Sequence, residues 1–355
     1  MKELMKHELK GLPMPKKANP PSLEQWKRLY ELMDELSELA PWEYMYEHNI
    51  FGVQFPETGN LGFVSVMGNL GEHFAIAVYI GKKGLEGFLN MQRMGHRLTP
   101  DIVLQVPQLQ ASFEDREMIT LEDRKIIKQL NLKFRGEKAW PQFRSYRPGC
   151  FPWYLEKEEA QMLIHGLEQL TDVSPRFKKD PDMLQPPEPD GKHLMRVYEN
   201  GKWVDRPQKI RFPADPPLRL SMNMDALNYL KSMSKQNSIV EVDIQMMEEA
   251  VRDKEFDRPY FPFMLMIAEN QSRMILGVDL LSPLPSLEEM WEHIPEKVTE
   301  TLANYLLPKE IRTKNPIIAL LLSPLEKEVG VKVNLVSRLP AVEQAQREFK
   351  KFTRR

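Results

Sequence analysis

The chain has 355 residues, 42% of them hydrophobic and 28% charged, with a formal net charge of −2. That size and apolar content fit two cores rather than one and exclude a mainly disordered chain, while the balanced charge excludes a whole-protein basic field for nucleic acid. The single cysteine, Cys150, excludes an intramolecular disulfide and points to a reducing, cytoplasmic setting.

Residues 1–20 are rich in Lys and Pro, hold no apolar stretch of the signal-peptide kind and read as a flexible N-terminus. A capping box, Ser22 with Gln25, then opens a helix whose apolar positions include Trp26, Leu29, Tyr30, Met33 and Leu36, with Pro41 beyond its end. Three apolar segments between residues 50 and 80 are separated by ETGN and NLGE, which is hairpin chemistry and predicts an antiparallel meander. Helices are expected at 84–93, 120–130 and 157–170, with 101–119 extended. Residues 175–219 hold nine of the 29 prolines and read as a linker carrying one hairpin that turns at Asn200-Gly201. This gives an α+β domain over 21–175, a Pro-rich linker over 176–219 and a second domain over 220–355.

The second half is more regular. Strands are expected at 239–247, 260–268 and 273–281, and a helix from the Ser286/Glu289 capping box to before Pro308. A strand at 310–313, a helix over 316–329 broken at Pro324, a strand at 331–336 and a last helix from Pro340 complete the chain. The longest aliphatic run, 317–322, is far shorter than the roughly 20 residues that span a bilayer, so no membrane segment is expected.

The order β-β-β-α-β-α-β-α describes an α/β domain with a mixed sheet, and it resembles the ribonuclease H-like fold. Residues 238–350 are similar to the catalytic domain of retroviral and transposon integrases: Asp243 stands mid-strand in IVEVDIQ, and Ser272, Arg273, Ile275 and Gly277 match the following hairpin. Pro308 and Ile311 match the stretch that in those enzymes precedes a second Asp, and Glu343 or Glu348 falls where the third carboxylate lies. The resemblance implies a two-metal site, but it sets Lys314 at the second Asp position. An ammonium about 4 Å from a divalent cation costs on the order of 8 kcal/mol at an effective dielectric of 20. No metal and no cofactor are therefore expected. The whole chain is also similar to a family of uncharacterised bacterial proteins, through FRGEKAWPQFRSYRPGCFPWYL, RPYFPFMLMIAE and PKEIRTKN. That resemblance implies two domains and carries no activity.

The densest chemistry in the first half is 134–154, where Arg135, Arg144 and Arg147 alternate with Trp140, Phe143, Tyr146 and Trp153. Arginines among flat rings suit a nucleic-acid or protein partner. The same residues also suit a loop packed onto a core and capped by guanidinium groups. The seven histidines lie scattered, without metal spacing. Cys150 reads as an ordinary thiol, and the glycines at 81, 84 and 87 as a strand end, turn and helix start. The expected function is a non-enzymatic binding or regulatory protein, a pseudoenzyme in its second half. The alternative is a metal-dependent nuclease or strand-transfer enzyme using Asp243, Asp279 and Glu343.

Overall fold

Ser22 Oγ accepts from the Gln25 amide at 3.1 Å while Gln25 Oε1 accepts from the Ser22 amide at 3.0 Å, so the capping box opens α1 (Leu23–Leu39) as its sequence demands. The computed structural model describes residues 19–95, 98–184, 192–212, 217–253, 256 and 258–353. The stretch read as flexible, 1–20, lies outside the described residues up to residue 18. Two compact units result, Met1–Ala214 with Arg252–Pro259, and Asp215–Val251 with Tyr260–Arg355.

In the first unit the meander is formed by β1 (Phe51–Gln54), β2 (Leu61–Met67) and β3 (Ala75–Ile80), all antiparallel. Next come α2 (Gly81–Met94), the single turn α3 (Pro100–Val103), β4 (Gln108–Glu114), α4 (Leu121–Gln129), β5 (Trp140–Tyr146) and α5 (Lys157–Lys179). The stretch 101–119 is thus not extended throughout, because Pro100 opens a helical turn before the strand begins at Gln108. α5 runs through Pro175 beyond its expected end, since Val173 and Phe177 both stay in the core. β6 (Lys192–Glu199) and β7 (Lys202–Lys209) form the expected hairpin, with positive φ at both Asn200 and Gly201 as a type I′ turn requires. They also join the sheet, which runs β5-β4-β3-β2-β1-β6-β7 with β1 and β6 parallel. The Pro-rich stretch 176–219 therefore carries two strands as well as connecting segments. Pro141 and Pro207 sit on the two edge strands, where a missing N–H is tolerated.

Alternation along β3 sets the layers. Ile76 and Val78 enter a core with Leu29, Met33, Leu163 and Leu167 of α1 and α5, whereas Ala77 and Tyr79 enter a second cluster with Phe88 and Met91 of α2. Gly84 is required where α2 crosses the strand ends, because a Cβ there would lie 2.7 Å from the Tyr79 backbone.

The second unit adds α6 (Met224–Ser232), β8 (Lys235–Met246), β9 (Phe263–Glu269), β10 (Ile275–Leu281), α7 (Leu287–Glu292), α8 (Ile294–Tyr305), β11 (Leu307–Thr313), α9 (Pro316–Leu321), α10 (Ser323–Val329), β12 (Lys332–Leu335) and α11 (Pro340–Thr353). The expected helix from Ser286 divides at His293, just before Pro295, and the one broken at Pro324 restarts at Ser323. The sheet order is β10-β9-β8-β11-β12, with β8, β9 and β10 antiparallel and β8, β11 and β12 parallel. The helices α6 to α10 cover one face through Leu230, Trp291, Val298, Ile318 and Leu325. α11 covers the other through Ala341, Val342 and Ala345. Among the described residues no helix is long and apolar enough to cross a membrane.

Candidate functional site

β8 is the central strand of the second sheet and its side chains alternate. Val240 and Val242 enter the core shared with α6 and α8, which turns Glu241 and Asp243 towards α11. Asp243 pairs in register with Met266, itself packed against the start of α11. Lys314, one residue past the parallel strand β11, and Glu343, in the first turn of α11, meet it there. Lys314 Nζ lies 3.4 Å from Asp243 Oδ2 and 3.8 Å from Glu343 Oε1, with Arg338 on the other Glu343 oxygen at 3.3 Å.

Burial pushes the Asp243 carboxyl above its usual range, and the Lys314 charge with a Gln346 hydrogen bond pulls it part of the way back. Glu343 is held low, first by the Leu339 amide it accepts from and then by Arg338 and Lys314, against a small desolvation cost. The ammonium therefore occupies the space between two carboxylates, where a bridging divalent cation would stand in a metal site. Among the described residues no group of three or more His, Cys, Asp and Glu side chains is arranged to hold a metal ion.

Asp279 does not join this cluster. It pairs with Leu265, whose side chain belongs to the opposite face, and its nearest cation is Lys297 of α8 at 3.9 Å. The set Asp243, Asp279 and Glu343 is thus divided between the two sides of the sheet. Glu348 lies a turn further along α11, exposed, accepting from Gln344. The carboxylate that the sequence did not single out is Glu241. Fully buried, it accepts from the Ala341 and Val342 amides at 2.8 and 3.0 Å and from Asn270, and so caps α11 across the sheet. Its acidic type within an alternating apolar strand was the available signal.

Two regions of the chain match family models. Residues 26–196 match a domain of unknown function (DUF7309), and residues 226–350 match a second domain of unknown function (DUF6930). No curated protein matches the chain. The Asp243–Lys314–Glu343 cluster lies within the DUF6930 match, and the Arg/aromatic segment within the DUF7309 match.

That segment is β5 and its flanks. Phe143 is in the core, 5.2 Å edge-on to Tyr30 and 5.9 Å from Trp26. Arg144, on the alternate side of the strand, is buried against Asp123 with its guanidinium 4.9 Å from the Tyr154 ring. Tyr146 is also buried and donates to Gln110 at 2.7 Å. Trp153 is buried and pairs backbone to backbone with Ser145. Arg147 is half exposed and held by Glu156 and Glu159, both at 2.8 Å. Trp140 is half buried against Phe134, and Arg135 is exposed in the loop before the strand. Phe143, Arg144, Tyr146 and Trp153 are all buried, so the rings and guanidinium groups do not form a single exposed stacking platform. Cys150 is buried, and desolvation raises its thiol above the usual range, the reverse of an activated nucleophile.

Proposed function

We propose that the protein is a non-enzymatic binding or regulatory protein whose second unit is a degenerate ribonuclease H-like scaffold. The observation that carries this reading is Lys314 set 3.4 Å from Asp243 and 3.8 Å from Glu343. A strand order of 3-2-1-4-5, antiparallel then parallel, supports the scaffold. The lysine supports the loss of chemistry, because its fixed charge repels the cations that such a site uses. The buried Cys150 and the absence of a membrane-crossing helix among the described residues suit a cytoplasmic setting. The test is incubation of the purified protein with labelled single- and double-stranded DNA and RNA in magnesium or manganese. No cleavage is expected. Cleavage that Asp243→Asn abolishes would overturn the reading.

A further inference from the structure

On the α1/α5 side of the first unit, His165 faces two carboxylates. It stands midway along α5, with its side chain only 12% exposed. Its Nε2 lies 2.9 Å from Oε1 of Glu57, in the turn between β1 and β2. Its Nδ1 is buried, has no hydrogen-bond partner among the described residues, and lies 3.8 Å from Oε2 of Glu168, one turn further along the same helix. Arg28 of α1 holds the other Glu168 oxygen at 3.0 Å and reaches Glu35 at 2.9 Å and Glu31 at 3.8 Å. From β7 the uncharged Trp203 ring packs on the imidazole at 5.6 Å.

No neutral imidazole satisfies both carboxylates. With the proton on Nε2, the Nδ1 lone pair faces Glu168. With the proton on Nδ1, the Nε2 lone pair faces Glu57. Only the imidazolium, a donor at both nitrogens, complements the two. A third neighbour makes the opposite demand. The Ser22 backbone amide donates to Gln25 Oε1 at 3.0 Å, which turns Gln25 Nε2 towards α5. That nitrogen donates to Gln161 Oε1 at 3.3 Å, which turns Gln161 Nε2, a donor, onto His165 Nε2 at 3.1 Å. One ring nitrogen therefore lies between a donor that needs its lone pair and an acceptor that needs its proton. It serves one of them at a time.

Burial opposes a charge on His165, but Glu168 and Glu57 outweigh it and hold the ring above its ordinary value. Glu168 is held low, first by His165, and Glu57 is low through His165 despite its own desolvation. We propose that His165 is a proton-operated clasp: protonated, it bridges Glu57 and Glu168 and ties the β1–β2 turn to α5; deprotonated, it accepts from Gln161 and releases the turn. A histidine whose folded value is raised contributes stability that is complete below the unfolded value of about 6.5 and is lost as pH rises through the folded value. The turn is thus held on the acid side of that window and freed on the alkaline side. The device lies within the first unit and does not rest on the reading of the second.

The experiment follows the full chain from about pH 5.5 to 8.5, across the ordinary histidine range. Ring resonances of His165 report its proton, and hydrogen exchange at the Gly59 amide, corrected for intrinsic rates, reports the turn, because that amide closes it onto the Phe55 carbonyl at 2.8 Å. The ring is expected to titrate above about 6.5, and Gly59 protection to fall by about threefold as the ring loses its proton. Glu57→Gln, at a half-exposed side chain, is expected to lower the proton affinity of the ring by about threefold and to make Gly59 protection independent of pH. Gln161→Met removes the competing donor and is expected to raise that affinity. A general loss of packing would not move the two variants in opposite directions. A ring that titrates at or below about 6.5, Gly59 protection that does not follow the ring, or two variants that shift the ring in the same direction would each overturn the proposal.

Discussion

The guanidinium of Arg144 grips the carboxylate of Asp123 with two hydrogen bonds, of 3.0 and 2.6 Å, in a pair whose side chains are only 3% and 7% exposed. Asp123 in turn accepts from the Thr120 amide and hydroxyl and so closes the capping box of α4. One ion pair therefore ties the edge strand β5 to the start of a helix. Breaking a buried pair from one side leaves a charge without compensation, at about 3–5 kcal/mol. Arg144→Ala is thus expected to lower the melting temperature of the first unit by roughly 6 °C or more, at about 2–4 °C per kcal/mol for a unit of this size. Arg144→Lys should recover only part of the loss, because an ammonium cannot make the forked contact. Calorimetry on the two variants checks this, and an unchanged transition for Arg144→Ala would remove the pair from the account.

Lys314 gives a prediction about proton affinity. Burial holds Asp243 above its ordinary value and Lys314 opposes that. Removing the ammonium in Lys314→Met should therefore raise Asp243 further, as read by carboxyl carbon chemical shift against pH. An acid with a raised folded value binds protons more tightly in the native state. Its contribution to stability then declines as pH climbs from the unfolded value of about 3.9 through the folded value. The variant should show a steeper decline across that window than the parent, and Asp243→Asn should flatten it. A carboxyl that does not move in Lys314→Met would mean the two groups are not coupled.

Glu159 behaves in the opposite sense. Burial alone would raise it, but Arg258 and Arg147, with the Glu156 amide and the Ser145 hydroxyl, hold it low. Arg258, in the segment 252–259 that belongs to the first unit, is itself pushed down to about 10, by burial first and then by Arg147. A depressed carboxylate contributes stability above its unfolded value of about 4.3 and loses it as pH falls through the folded value. Glu159→Gln should lower the urea midpoint at pH 7 and bring it closer to the parent at pH 3. Parallel curves for parent and variant over the whole acid range would show that Glu159 does not carry this linkage.

What could be read in advance follows from how local each signal was. The Ser22 box, the Asn200-Gly201 turn and the strand and helix order after Ile239 are local patterns, and the elements form where those patterns place them. β5 was not legible as a strand, because Arg and aromatic side chains suggested a surface. Its alternation is evident only once Phe143 is seen in the core and Arg144 beside Asp123. The parallel pairing of β1 with β6 joins Gly52 to Met195, and no local pattern encodes so distant a partner. The Lys314 position was available from the integrase resemblance, whereas the contact of Glu241 with the start of α11 joins residues 100 apart in the chain.

Glu241 supplies the last prediction. It is fully buried on the central strand, and both its oxygens are used, one by Asn270 and the other by the amides of Ala341 and Val342. These amides are among those a helix start leaves without an internal partner, and the carboxylate also meets the positive end of the helix dipole. Glu241→Ala strands all three donors and is expected to cost about 3 kcal/mol or more, since each unsatisfied buried donor costs about 1–3 kcal/mol. Glu241→Gln keeps one acceptor oxygen, loses the charge, and should cost less than Ala. The distinguishing readout is local. Hydrogen exchange at Ala341 and Val342 should accelerate in the alanine variant before exchange in β9 does, because Glu241 accepts directly from these two amides while β9 is paired on both edges. If exchange at the two amides and in β9 rises together, Glu241 stabilises the unit as a whole and does not act as the anchor of α11.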